Sequence, residues 1–115
     1  MPLTIRETLK AEVLVLNLEG RLDVGTSPAL EKRLHEAFDG GGRRLVLDLA
    51  GLEYVSSAGL RVLLAALDRL EKAEGRMVLS GTQGYVLEVF DVAGLVTVFP
   101  MVPTLEEAEA RAAAP

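Results

Sequence analysis

The sequence predicts an α/β fold: one domain over residues 1–115, with a mixed, mostly parallel sheet of about five strands and four helices. Three observations lead there. Short apolar runs that suit strands alternate with stretches of helical period, in the order strand, strand, helix, strand, helix, strand, helix, strand, helix, and such alternation implies right-handed crossovers. The first two strands are separated only by the polar turn Lys10-Ala11-Glu12, which sets one antiparallel hairpin strand at the sheet edge. A chain of 115 residues can bury a core without disulfides but leaves no room for a second domain.

Residues 4–9 and 13–18 are the hairpin strands; in the second, Leu14, Leu16 and Leu18 alternate with Val15 and Asn17 at period two. Gly20-Arg21-Leu22-Asp23-Val24-Gly25 is expected to leave the strand as a loop. Ser27 is the expected N-cap of the first helix, with Pro28 at the first helical position, where its missing N–H costs nothing. That helix buries Leu30, Leu34, Ala37 and Phe38 and stops at Gly40-Gly41-Gly42. Leu45-Val46-Leu47 with Leu49 has the nearly unbroken apolar character of a strand buried on both faces. From Leu60 the period changes: Leu60, Leu63, Leu64 and Leu67 form a helical stripe, with Arg61, Asp68, Arg69 and Lys72 mostly off it. Gly75 is the expected cap at the end of this second helix. Met77-Val78-Leu79 is a further strand, residues 81–84 a loop, and Tyr85, Val86, Val89 and Phe90 the face of a third helix that ends near Gly94. Residues 96–99 are expected as the short last strand, and Pro100 and Pro103 bracket a connection. Thr104 and Glu107 make a capping box for a final helix through Ala108 and Arg111, and residues 112–115 are expected to fray.

Composition removes several functional classes. There is no cysteine, so neither a disulfide framework nor a thiolate metal site is available. The start, Met1-Pro2-Leu3-Thr4-Ile5-Arg6-Glu7, lacks the pattern of a signal peptide, and no apolar run approaches the roughly 20 residues that span a bilayer. The expectation is a cytoplasmic protein with no membrane insertion. A net charge of -5 argues against a nucleic-acid phosphate backbone as the main partner, and the few aromatics and absent tryptophan argue against single-strand stacking platforms.

The unusual chemistry sits at the change of period. Ser56-Ser57-Ala58-Gly59 places two hydroxyls where a helix begins, the point at which free N–H groups and the helix dipole favour an anion. One hydroxyl suffices as the cap, so the other is spare, and Gly59 is expected to keep the first turn open to an approaching group. A hydrolase elbow would need Gly in place of Val55 and a later His, whereas the one histidine, His35, precedes it on the first helix as a surface or boundary residue. No metal ligand set accompanies it. A phosphate-accepting receiver would use Asp48, but no lysine follows Lys72; Asp48 is expected to meet a backbone N–H or Arg44 instead. Gly40-Gly41-Gly42 lacks the Lys-Ser/Thr of a phosphate-cradling loop. Asp23 would alone be a turn acid. If the strands of residues 13–18 and 45–49 are neighbours, however, the loops after them leave the same sheet end, bringing Asp23 and Thr26 near Ser57.

Gly20-Arg21-Leu22-Asp23 with Thr26, then Leu47-Asp48-Leu49-Ala50-Gly51-Leu52-Glu53-Tyr54-Val55-Ser56-Ser57-Ala58-Gly59-Leu60, resemble the bacterial anti-sigma factor antagonists, the small members of the sulfate-transporter and anti-sigma-antagonist (STAS) domain family. Phe90-Asp91-Val92-Ala93-Gly94-Leu95 extends the likeness over nearly the whole chain. The resemblance implies a STAS-like mixed sheet with helices and a partner-switching protein. Unmodified, such a protein binds an anti-sigma factor that is also an ATP-dependent serine kinase, and so frees a sigma factor. Phosphorylation of a hydroxyl at the start of the second helix ends the binding. Carried over by motif, the acceptor is Ser57; many relatives have Asp just before it, and Ser56, which stands there in this chain, is the second choice. The same resemblance assigns Asp23, Thr26, Ser56, Ser57, Gly59, Leu60 and Arg61 to the partner-binding surface of a monomer or weak dimer. It implies no enzyme activity of the chain's own, no cofactor and no metal. The alternative within the same fold is a regulatory or scaffold subunit of a transporter or signalling complex, without phosphorylation. Turnover abolished by Ser57→Ala would instead mark a small hydrolase.

Overall fold

The computed structural model describes residues 2–115. The elements are β1 (Leu3–Lys10), β2 (Val13–Leu22), α1 (Ser27–Asp39), β3 (Arg44–Val55), α2 (Ser57–Lys72), β4 (Arg76–Ser80), α3 (Gly84–Val92), β5 (Met101–Val102) and α4 (Leu105–Ala113). They build one five-stranded sheet in the order β1-β2-β3-β4-β5, antiparallel between β1 and β2 and parallel from there on. The predicted element order and the antiparallel edge strand are both present.

Alternation along the strands divides the apolar residues between two faces. Leu16, Leu18, Leu45, Leu47, Leu49 and Leu79 face the larger core, where α1, α2 and α3 contribute Leu30, Leu34, Leu63, Leu67 and Phe90. Val13, Val15, Val46 and Val78 face the other way and are covered by Ala108 and Ala112 of α4. The small alanines let α4 approach the valines closely.

β2 and β3 are both longer than their periodicity predicts. On the face of the larger core the buried positions of β3 are Leu45, Leu47, Leu49, Leu52 and Val55, so a spacing of two becomes a spacing of three twice. Each change coincides with a register shift against β2: Asn17 pairs with Asp48 but Glu19 with Gly51, and Gly20 with Leu52 but Arg21 with Tyr54. The extra residues are bulges that return Leu52 and Val55 to the core face. Gly20-Arg21-Leu22, expected in a loop, is therefore the last part of β2. Gly20 adopts φ +101, and a Cβ on it would lie 2.2 Å from the Pro2 carbonyl oxygen, so no other residue fits there.

Several local expectations are corrected. Residues 96–99 form a turn in which the N–H groups of Val98 and Phe99 donate to the Leu95 carbonyl. Phe99 is the buried plug of that turn, edge-on to Phe90 with ring centroids 5.5 Å apart. The last strand follows it at Met101–Val102. The N-cap of α1 is Thr26, and Ser27 is already helical. At the end of α2 the cap is Ala73, and Glu74, not Gly75, takes the left-handed backbone with φ 60. Leu64 and Tyr85 are exposed; the buried side of α2 runs instead through Leu63, Ala66, Leu67 and Leu70. The tail does not fray at Ala112, which is buried. Arg44 Nη1 donates to the carbonyls of Ala112 and Ala114, both at 2.7 Å, closing the helix end with a cation where the dipole favours one.

The second face depends on α4, which makes it a sensitive place to disturb. Ala108→Asp would set an unpaired carboxylate among the valines and is expected to lower the unfolding free energy by about 3 kcal/mol or more. A urea titration at neutral pH measures this, and an unchanged midpoint would contradict the α4 docking.

Candidate functional site at the β2–β3 rim

β2 and β3 end side by side, with Leu22 paired to Val55. The connection is then drawn tight by the backbone: the Ser56 N–H donates to the Leu22 carbonyl at 2.9 Å. The loop after β2 and the start of α2 consequently share one rim, which brings Asp23 and Thr26 to the same end of the sheet as Ser56 and Ser57.

The two serines have different surroundings. Ser56 is the N-cap of α2, with extended backbone (φ -95, ψ 172), and its Oγ accepts from the Gly59 N–H at 3.2 Å. Ser57 is the first residue of the helix and is exposed. Its hydroxyl is the one left over after capping. Gly59 is buried, and its role differs from the expected one. A Cβ there would stand 2.8 Å from Leu22 Cγ and 3.0 Å from the Leu22 carbonyl oxygen, so the missing side chain lets α2 seat on β2 and does not open the turn to solvent. Leu60 is half-buried and packs on the core, whereas Arg61 is exposed.

Across the rim, Asp23 folds its own loop. Its Oδ1 accepts from the N–H groups of Gly25 and Thr26, each at 3.0 Å. Thr26 Oγ1 donates to the Arg21 carbonyl at 2.8 Å and accepts from the Asp23 N–H at 2.9 Å. These bonds hold the Asp23 carboxyl below its ordinary value, the Thr26 N–H most strongly, with Gly25, the Thr26 hydroxyl and the Arg21 charge adding to it and desolvation opposing. Val24 at the loop tip is 78% exposed.

A group of side chains not singled out in the sequence joins this rim to α3. Arg21 lies with its Cζ 4.0 Å from the centroid of the Tyr54 ring, its partner in the β2–β3 register. Tyr85 of α3 stacks on Tyr54 at 5.7 Å with the rings 5° from parallel. Arg21 Nε also comes within 3.8 Å of Asp23 Oδ2. Periodicity assigned Tyr85 to the core; only the register of Arg21 with Tyr54 could have placed it in this stack.

Asp48 lies on the α4-facing side of β3, away from these residues. It accepts from Asn17 Nδ2 at 2.7 Å and from the Ala50 N–H at 3.1 Å; Arg44, the other expected partner, is occupied with the C-terminal carbonyls. His35 is exposed on α1. Among the described residues no group of three or more His, Asp or Glu side chains is placed to hold a metal, and no helix is long and apolar enough to cross a membrane.

Comparison with known proteins follows the same lines. The STAS domain family profile matches residues 4–108. BtrV of Bordetella bronchiseptica, named for an inferred role as an anti-sigma factor antagonist, is 39% identical over 98 residues, which are 85% of this chain and 84% of that protein. A crystal structure of an anti-sigma factor antagonist from Mycobacterium paratuberculosis superposes with a TM-score of 0.88 at 28% identity, covering 97% of this chain and 95% of that one. The Bacillus cell fate determinant SpoIIAA, solved in its phosphorylated form, shares the fold at a TM-score of 0.73 and 24% identity, over 95% and 97% of the two chains.

Stability measurements distinguish the two hydroxyls. Ser56→Ala removes the cap and is expected to cost about 1 kcal/mol, while Ser57→Ala stays within about 0.5 kcal/mol of the unsubstituted chain. Equal costs in denaturant titrations would contradict the assignment. For Asp23, a carboxyl lowered on folding contributes stability that is complete above the unfolded value and is lost as pH falls through the folded one. Its titration midpoint by carbon NMR is therefore expected below 3.8, and a midpoint at or above that value would remove the loop bonds from the account.

Proposed function

The chain belongs to the STAS domain family, and from that premise we propose that it is an anti-sigma factor antagonist switched by phosphorylation of Ser57. The observation that carries this reading is the exposed, uncommitted Ser57 hydroxyl at the start of α2, on the rim shared with Asp23. The antagonist role inferred for BtrV supports the antagonist function, and the phosphorylated form of SpoIIAA supports a phosphate on this fold.

In the unmodified state the rim formed by Asp23, Thr26, Ser56, Ser57, Leu60 and Arg61 docks a cytoplasmic anti-sigma factor that is also a serine kinase, and the sigma factor is released. Gly59 contributes by letting α2 seat against Leu22. The chain itself is a binding protein and a kinase substrate. In the modifying step the Ser57 oxygen forms a bond to the γ-phosphorus of ATP as the bond from that phosphorus to the β–γ bridging oxygen breaks; ADP leaves, and the hydroxyl proton passes to a base on the kinase.

The consequence is electrostatic. A phosphoserine carries about -1.5 to -2 charges at neutral pH and three acceptor oxygens. The N–H groups of the first turn of α2 tolerate that charge. A docked partner does not, because the phosphate would have to be desolvated near the Asp23 carboxylate. Each 1.4 kcal/mol of that penalty weakens binding about tenfold.

Incubation with a candidate anti-sigma factor kinase from the same genome and ATP, followed by mass spectrometry, tests the assignment. Phosphate is expected on Ser57, lost in Ser57→Ala and retained in Ser56→Ala, and Ser57→Asp is expected to weaken kinase binding at least about tenfold. Modification elsewhere together with undiminished binding of Ser57→Asp would remove Ser57 from the mechanism.

A further inference from the structure

We propose that Arg61 is the chain's own receptor for the phosphate carried by Ser57. This rests on the reading of Ser57 above and adds the group that answers its charge. Arg61 stands four residues after Ser57 in α2, so the two side chains occupy one strip of the helix surface, about 6 Å apart along its axis. Helical side chains lean toward the N-terminus, so an arginine covers the turn before its own Cα, and for Arg61 that is the turn Ser57 opens. Arg61 is exposed, and among the described residues its guanidinium has no ion-pair or hydrogen-bond partner.

The other cation of the rim is already engaged. Arg21 covers the Tyr54 ring at 4.0 Å and meets Asp23 at 3.8 Å, and Tyr85 holds Tyr54 in place from the opposite side. Turning Arg21 to a phosphate breaks both of its contacts; turning Arg61 breaks none. Asp23 on the adjoining loop is an anion that opposes the phosphate, and on α1, the helix packed against α2, Glu31 and His35 line the groove beside Val62 and Ala65. A guanidinium offers parallel donors matched to two phosphate oxygens, so Arg61 is suited to the task in geometry as well as in charge. Phosphorylation then changes the docking face twice over: it adds an anion and withdraws a cation that the unmodified chain presents.

Phosphoserine installed at position 57 during translation, with no kinase involved, separates this proposal from the one it rests on. The second phosphate ionisation, near pH 6 in a free phosphoserine, is followed by phosphorus NMR. A cation within reach favours the dianion, so the midpoint is expected about half a unit lower in the unsubstituted phosphoprotein than in Arg61→Ala. Arg61→Lys is expected to keep part of that difference, and Arg21→Ala to leave the midpoint in place. Coincident curves for the unsubstituted and Arg61→Ala forms would overturn the proposal, as would a larger displacement in Arg21→Ala. A kinase that modifies another residue would defeat the reading of Ser57 without altering this measurement.

Discussion

Everything at the rim depends on the parallel pairing of β2 with β3 and on its continuation past the edge of the rest of the sheet. β4 accompanies β3 only as far as the pair Asp48–Ser80, whereas β2 stays with it to Val55. The final bond, from the Ser56 N–H to the Leu22 carbonyl, turns a strand pair into a fixed distance between a loop and a helix start. A slip of one residue would turn Leu22 and Val55 outward and carry Arg21 and Tyr54 into the core. The hydrophobic cost of that error is what keeps a polar surface in register.

Within the frame so set, the polar groups divide their work. Ser56 and Thr26 spend their side chains on the backbone at the starts of α2 and the β2–α1 loop. Asp23 spends one carboxylate oxygen on its loop and turns the other toward Arg21. Among the described residues, Ser57 and Arg61 make no side-chain hydrogen bond or ion pair. Such freedom suits groups whose bonding must change, since a side chain with no structural duty can acquire a phosphate or a new partner without releasing a turn.

How much of this could be foreseen follows from what periodicity encodes. Alternation in β2 and the leucine stripe of α2 revealed the elements, because burial on one face writes its period into the residues. Leu49, Leu52 and Val55 break the rule, so periodicity does not reveal the end of β3: a bulge changes the period locally, and only the partner strand shows where. The run of residues 96–99 read as a strand because Phe99 is apolar, yet its burial comes from a turn that plugs the core beside Phe90. Two hydroxyls at the helix start were visible as residue types. Which of them caps the helix is decided by the extended backbone of Ser56, a property of the chain path that residue identity does not carry. The Arg21–Tyr54–Tyr85 stack lay beyond reach for a related reason, since it joins three elements through a strand register.

A switch of this kind works best when its chemistry leaves the fold alone. The cap bond of α2 belongs to Ser56, so esterifying Ser57 removes no bond that the helix start relies on, and the new charge arrives where the helix dipole is favourable. The core behind it, from Leu22 through Gly59 to Leu63, is closely packed without any part of the Ser57 side chain, so a phosphate there would leave it in place. In the proposed switch the full electrostatic cost would then be deferred to the moment a partner excludes water from the rim. A penalty that would unfold a marginal domain if charged to its own stability becomes, when charged to an interface, a change of state in binding alone.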